Sequence, residues 1–246
     1  MREALNKSSQ PKPFKYRAHY PLFGAFRLLI MKPFYRKPKM TFVCDIAEPA
    51  IFVSNHDAKR GPVTSEAWFP VRTAKWGAYE MLCDYNSRRK YLRDIFYIKK
   101  QGMSRAKASF KAFFEAFFSL YIYRGMNMMP TYTDARLAKT ISDSVEVLKD
   151  SVSVWMFPED SDGGYCEEPK KFFPGFVMLA ESFYRKTGKD IPVYPVYYHS
   201  GHNKLVVGKP RYAHAMKESG MDRKAIAEAL RCDVVALYRE YIVKHD

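Results

Sequence analysis

The sequence predicts an α/β domain built on a largely parallel sheet, and three observations carry that prediction. Short apolar runs bounded by turn residues alternate with segments of helical period, the pattern of strand–helix–strand units. The chain has 246 residues, 47% of them hydrophobic and 16% aromatic, enough to bury one sizeable core. Polar residues follow directly on two of the apolar runs, at Asn55-His56 and at Pro158-Glu159-Asp160. Ligands of open α/β sheets bind outside the carboxyl ends of the strands.

Taken in chain order, residues 1–19 are polar and basic, with Pro11 and Pro13, and read as a loose arm ahead of a single domain at 20–246. Residues 20–38 begin with an amphipathic helix whose Leu22, Phe23, Phe26 and Ile30 share one face, interrupted at Pro33. This segment is the candidate membrane-interface helix. Residues 39–44 and 50–54 read as strands, and Gly61-Pro62 as a turn. A helix over 105–121 carries Phe110, Phe113, Phe114, Phe117, Phe118 and Tyr121 in one stripe. Packing of that stripe into the core is the favoured expectation, and a lipid-facing surface is the alternative. Tyr121-Ile122-Tyr123 reads as a short strand ending at Arg124. Residues 134–149 are helical through Leu137, Ile141, Val145 and Leu148. Val152 to Phe157 is a buried strand, and 175–187 a helix closed by Gly188. Strands follow at 191–198 and 204–207, and a last helix runs from the N-cap Asp222 to about Val243.

The formal charge of +15 is unevenly placed. Residues 1–39 hold ten Lys and Arg against one acid, and the basic stretch 72–111, read as an insertion, holds eleven against three. Such patches suit a polyanionic surface, either an anionic membrane or nucleic acid. No nucleic-acid motif accompanies them, so nucleic-acid binding ranks third among the readings. Four widely spaced cysteines make neither a zinc pattern nor a disulfide framework and fit a reducing cytoplasm. No apolar run reaches the roughly 20 residues that cross a bilayer, so a peripheral position on the inner membrane face is expected.

The chemistry-bearing residues come in a fixed order. Asn55-His56 is followed by Tyr121-Ile122-Tyr123-Arg124, then Phe157-Pro158-Glu159-Asp160-Ser161, then Ile191-Pro192-Val193-Tyr194-Pro195-Val196 and Gly208-Lys209-Pro210. A histidine after a strand can be a mere cap, but its imidazole titrates near neutral pH and suits a general base. The whole series resembles the glycerolipid acyltransferase family, whose best-known members acylate lysophosphatidic acid. That family shows an Asn-His-x4-Asp block, a block ending in Phe-Ile-x-Arg, a Phe-Pro-Glu-Gly-Thr-Arg-Ser block and a Val-Pro-x-x-Pro-Val strand. The resemblance covers roughly residues 40–243.

What the resemblance implies is specific. The fold would be acyltransferase-like, with a mixed, mostly parallel sheet. His56 would take the proton of a glycerol-type hydroxyl, which attacks an acyl thioester delivered by acyl-CoA or acyl-carrier protein. Arg124 would pair with the phosphate of a lysolipid acceptor. Asn55, Phe157, Pro158, Glu159 and Ser161 would line the acceptor site, with no metal and no tightly bound cofactor. The chain departs from the pattern at two places. Gly61 stands where the family aspartate orients the imidazole, a group whose loss costs about 10⁴-fold in the serine protease triad. Asp160 stands where the family has glycine, and Ser161-Asp162-Gly163 where it has Thr-Arg-Ser. Asp57, Asp160 or Asp162, or a backbone carbonyl, is the expected substitute. A catalytically weak or inactive lipid-binding relative is the alternative reading.

Overall fold

Eight strands form one mixed sheet in this computed structural model, which describes residues 14–245 apart from residues 19 and 58. The strands are β1 (Lys39–Phe42), β2 (Ile51–Ser54), β3 (Thr73–Ala78), β4 (Met128–Thr131), β5 (Ser153–Met156), β6 (Pro192–His199), β7 (Lys204–Val207) and β8 (Arg211–Tyr212). Their spatial order is β1-β7-β6-β2-β5-β3-β4, with β8 paired to β6. The five strands from β6 to β4 run parallel, while β7 and β8 run against β6 and β1 follows β7. The fold class is therefore the α/β arrangement expected, a mixed and mostly parallel sheet flanked by helices.

The central strands alternate between two cores, as period-two geometry requires. On β2, Ile51 and Val53 point to the face covered by α6 (Leu137–Lys149), α7 (Gly175–Thr187) and α9 (Arg223–Tyr241). Phe52 points to the opposite face, where its ring stacks at 5.3 Å on Trp155 and at 5.5 Å on Tyr194. β2 and β5 are buried along their whole length. The loops that leave their carboxyl ends are thus anchored on rigid backbone.

The N-terminal helix α1 (Pro21–Phe26) continues through a π-helical turn, Arg27–Met31, into α2 (Lys32–Phe34), so Pro33 lies inside the helical run and does not end it. The expected arm falls in part outside the described residues, at 1–13. Phe14 and Tyr16 pack against the main core, and Arg17 N–H donates to Asn127 Oδ1 at 3.0 Å, so this part of the segment is pinned to the domain. After β2, α3 (Arg60–Trp68) begins where a turn was expected, with Gly61 and Pro62 in its first turn, a position that tolerates proline.

The basic stretch 72–111 begins inside the sheet, as β3. It continues through a 3-10 turn, α4 (Tyr85–Lys90) and a π-helical segment, Tyr91–Lys99, to the start of α5 (Arg105–Gly125). Two expectations fail on α5. Tyr121-Ile122-Tyr123 is helical, and the strand lies later, at β4. The aromatic stripe faces outward, with Phe110 68% and Phe117 72% exposed. The buried face of α5 is made of Ala108, Ala112, Ala116 and Ser119, packed on Leu92, Phe96 and Tyr97. Small residues let the helices approach closely, and that leaves the large ones outside. The remaining short helix, α8 (Ala213–Glu218), links β8 to α9.

Candidate functional site

The loops after β2 and β5, neighbouring parallel strands, bring the two expected motifs together. Asn55 extends the β2–β6 pairing one residue past the strand. Its side-chain amide donates to Tyr198 O at 2.8 Å, and its Oδ1 accepts from Tyr198 N–H at 2.9 Å. Both functions of this buried amide are spent on backbone. Asn55 therefore holds the loop through its side chain, a role beyond the acceptor contact expected of it.

His56 follows directly. Its backbone N–H donates to Glu159 Oε2 at 3.1 Å, across 103 residues of sequence. Its ring lies between two aromatic rings, with Phe157 and Tyr165 each 4.9 Å away between centroids. Glu159 is buried, and its other oxygen accepts from Cys166 N–H at 3.5 Å. Burial raises the Glu159 carboxyl above the ordinary carboxylate range, against the opposing pull of the His56 and Cys166 N–H groups and of Lys100. Glu159 and Phe172 also form an isolated antiparallel bridge, and Phe173 N–H donates to Pro158 O at 2.8 Å. The Phe157–Ser161 loop is thereby tied to the segment that leads into α7.

The three candidate aspartates have other partners. Asp57, at a left-handed φ of 40°, accepts Ser200 N–H on Oδ2 at 2.7 Å, holding the turn after β6. Asp160 accepts from Asp162 N–H and from Lys171 Nζ, each at 3.3 Å, inside its own loop. Asp162 pairs with Lys99 at 2.9 Å. The reason for glycine at position 61 is steric. A Cβ there would overlap the carbonyl oxygen of His56, so the chain folds its histidine loop onto the space a side chain would need.

Arg124 does not join the site. It lies in the last turn of α5, four residues before β4, and so at the amino edge of a strand parallel to β2 and β5. It lines a cavity of about 560 Å³ together with Arg17, Arg88, Phe117 and Tyr121. The cation present at the site is one the sequence reading passed over. Lys100 Nζ donates to Ser161 Oγ at 2.7 Å and stands 5.5 Å from the Tyr165 ring. Burial lowers its pKa, and Asp162, Glu159 and Asp160 pull the other way. Tyr165, also passed over, is buried enough that its hydroxyl titrates well above the ordinary range. Lys59, three residues after His56, pairs with Glu115 of α5, and Tyr97 bonds the same carboxylate. Among the described residues no three of His, Cys, Asp and Glu gather as a metal site would require.

The arrangement offers an imidazole at a strand end, packed against two aromatic rings, a buried carboxyl that fixes its backbone and an amine on the neighbouring Ser161. No protein-family model matches the chain, and no curated protein matches it in sequence. Among solved structures it is similar to the 1-acyl-sn-glycerophosphate acyltransferase of Thermotoga maritima, at 13% identity and a TM-score of 0.45, over 87% of this chain and 83% of that one.

Proposed function

We propose that this chain is an acyltransferase acting on a hydroxyl of a lysolipid or glycerol-type acceptor, with His56 as general base. The observation that carries the reading is the 3.1 Å bond from His56 N–H to Glu159 Oε2. It joins the Asn55-His56 and Phe157–Ser161 blocks at the carboxyl ends of adjacent parallel strands, where such sheets place their chemistry. In the reaction, the imidazole takes the acceptor hydroxyl proton. The oxygen forms its bond to the thioester carbonyl carbon, the carbon–sulfur bond breaks, and the imidazolium returns the proton to the departing thiolate. Glu159 positions the histidine loop. Phe157 and Tyr165 confine the ring, and Lys100 supplies the positive charge that an anionic acceptor requires.

The donor class in this reading is acyl-CoA or acyl-carrier protein. The basic stretches 1–39 and 72–111 would lie against the anionic inner leaflet, and the helix beginning at Pro21 would enter the interface. Among the described residues no helix is long and apolar enough to cross a membrane. The test is transfer from labelled acyl-CoA and acyl-carrier protein to a panel of lysolipids by the wild type and by His56→Ala. The reading expects transfer by the wild type alone. Equal transfer by both removes His56 as base.

One observation favours a second reading, a lipid-binding relative without turnover. A Cβ at position 61 would overlap the His56 carbonyl oxygen, so the loop as folded leaves no room for an aspartate there, and Asp57 is directed to Ser200. Lipid retained in native mass spectra, with no transfer to any acceptor, would select it.

A further inference from the structure

The outward stripe of α5 is an unusual surface. Six aromatic side chains, Phe110, Phe113, Phe114, Phe117, Phe118 and Tyr121, stand between 43% and 72% exposed along one helix. At the lower end of typical aromatic areas this amounts to roughly 500 Å², in the upper range of the single apolar patches of soluble monomers, about 300–600 Å². α1 extends the patch. Phe26 meets Tyr121 edge to face at 6.2 Å, and Leu22 and Leu29, one helical turn to either side of Phe26, are 77% and 72% exposed. The close approach of the two helices depends on Gly125, where a Cβ would overlap the ring of Phe23.

The charges around the patch select its partner. Lys107 and Arg124 continue the stripe at its two ends, and Lys111 flanks it. The single acid of α5, Glu115, is turned inward to Lys59. Beside Phe117 and Tyr121 opens the 560 Å³ cavity, whose exposed cations are Lys15, Arg17 and Arg124 and whose lining holds no carboxylate. An apolar ridge whose exposed charges on its own helix are all cations complements a bilayer whose headgroups are anionic.

We propose that the α5 ridge, extended by α1, is the surface by which this protein docks on an anionic lipid leaflet, with the aromatic rings in the acyl region and the cavity cations on the headgroups. This deepens the membrane part of the reading above and is independent of its chemistry, because docking needs no turnover. It also places the site. Glu115 reaches from the inner face of α5 to Lys59 on the His56 loop, so the ridge and the loop lie on opposite sides of one helix, about 10 Å thick.

The test is flotation of the full chain with phosphatidylcholine vesicles, with and without 30 mol% phosphatidylglycerol. The wild type is expected to float with the anionic vesicles and much less with the neutral ones. Phe114→Ser/Phe117→Ser/Phe118→Ser, at exposed positions and checked for an unchanged circular dichroism spectrum, is expected to lose binding at least tenfold. Lys107→Glu/Arg124→Glu is expected to remove the preference for anionic vesicles. Binding by the Phe variant equal to wild type overturns the ridge but leaves a membrane reading standing. No binding by the wild type overturns both. A wild-type dimer in light scattering that the Phe variant turns into a monomer, with no flotation by either, assigns the ridge to a second copy of this chain and also overturns the proposal. In a protein that folds poorly after triple substitution, Phe117→Trp gives a second readout. Its emission should shift to the blue and be quenched by brominated lipid, and an unquenched tryptophan contradicts the proposal.

Discussion

Helices α5 and α6 carry apolar stripes of equal regularity, yet one turns its stripe to solvent and the other to the core. On α6, Ile141, Val145 and Leu148 are buried against the sheet, opposite a polar outer face. On α5, the phenylalanines are outside and an alanine seam is inside. The difference lies in the neighbour. α6 covers an open sheet face that needs volume, whereas α5 lies on a helical layer already filled by Met81, Leu92, Phe96 and Tyr97. Close packing leaves room there only for small side chains. Periodicity finds a stripe, and the volume of the facing surface decides which stripe goes in.

The largest expected effect tests the buried stripe. Leu148→Ala on α6 should lower unfolding stability by about 2–5 kcal/mol in denaturant titration. A loss no greater than that of a surface substitution would break the comparison. Next comes the alanine seam. Ala112→Leu on α5 should cost about 1–3 kcal/mol through overpacking against Phe96 and Tyr97, and a neutral result would mean that the seam is loose.

The inward-facing logic applies to charge as well. Glu159 holds its proton more tightly in the folded chain than its ordinary value of 4.5 would allow. Folding therefore binds a proton in that window, and stability contributed by this group falls as pH climbs from 4.5 through the raised value, then levels. Glu159→Gln should lack that slope when denaturation midpoints are compared across pH, and an unchanged slope would show that Glu159 is not its source. The smallest effect belongs to the outward stripe. Phe117→Ser should change stability by no more than about 0.5 kcal/mol, and a loss of several kcal/mol would place that ring in a core.

Much of the fold was legible because burial on both faces leaves plain apolar runs, as at β2, β5 and β6, and because α7 and α9 keep their period and carry Gly188 and Asp222 at their ends. β3 and β4 were not legible. β3 contains Lys75, whose buried amine is met by Glu66 at 2.6 Å and by Thr73 Oγ1 at 3.0 Å, and β4 contains Pro130. Either residue argues against a strand until its partner or its place in the sheet is known. Of the site, His56 and Glu159 were legible from strand ends. The role of Asn55 as a clamp on Tyr198 was not, because an amide gives no sign in sequence of which backbone it will bond. Tyr165 and Lys100 were hidden because only the tertiary fold brings Tyr165 against His56 and Lys100 onto Ser161. Arg124 misled because the strand expected before it is helix, and that error moves a residue from one edge of the sheet to the other.

The most direct measurement of the central claim is release of free thiol from acyl-CoA in the presence of lysolipid, followed for the wild type and for His56→Ala at matched thermal stability. Thiol release should equal the acyl product in amount for the wild type and fall at least a hundredfold for the variant. Equal rates for the two proteins would contradict the claim.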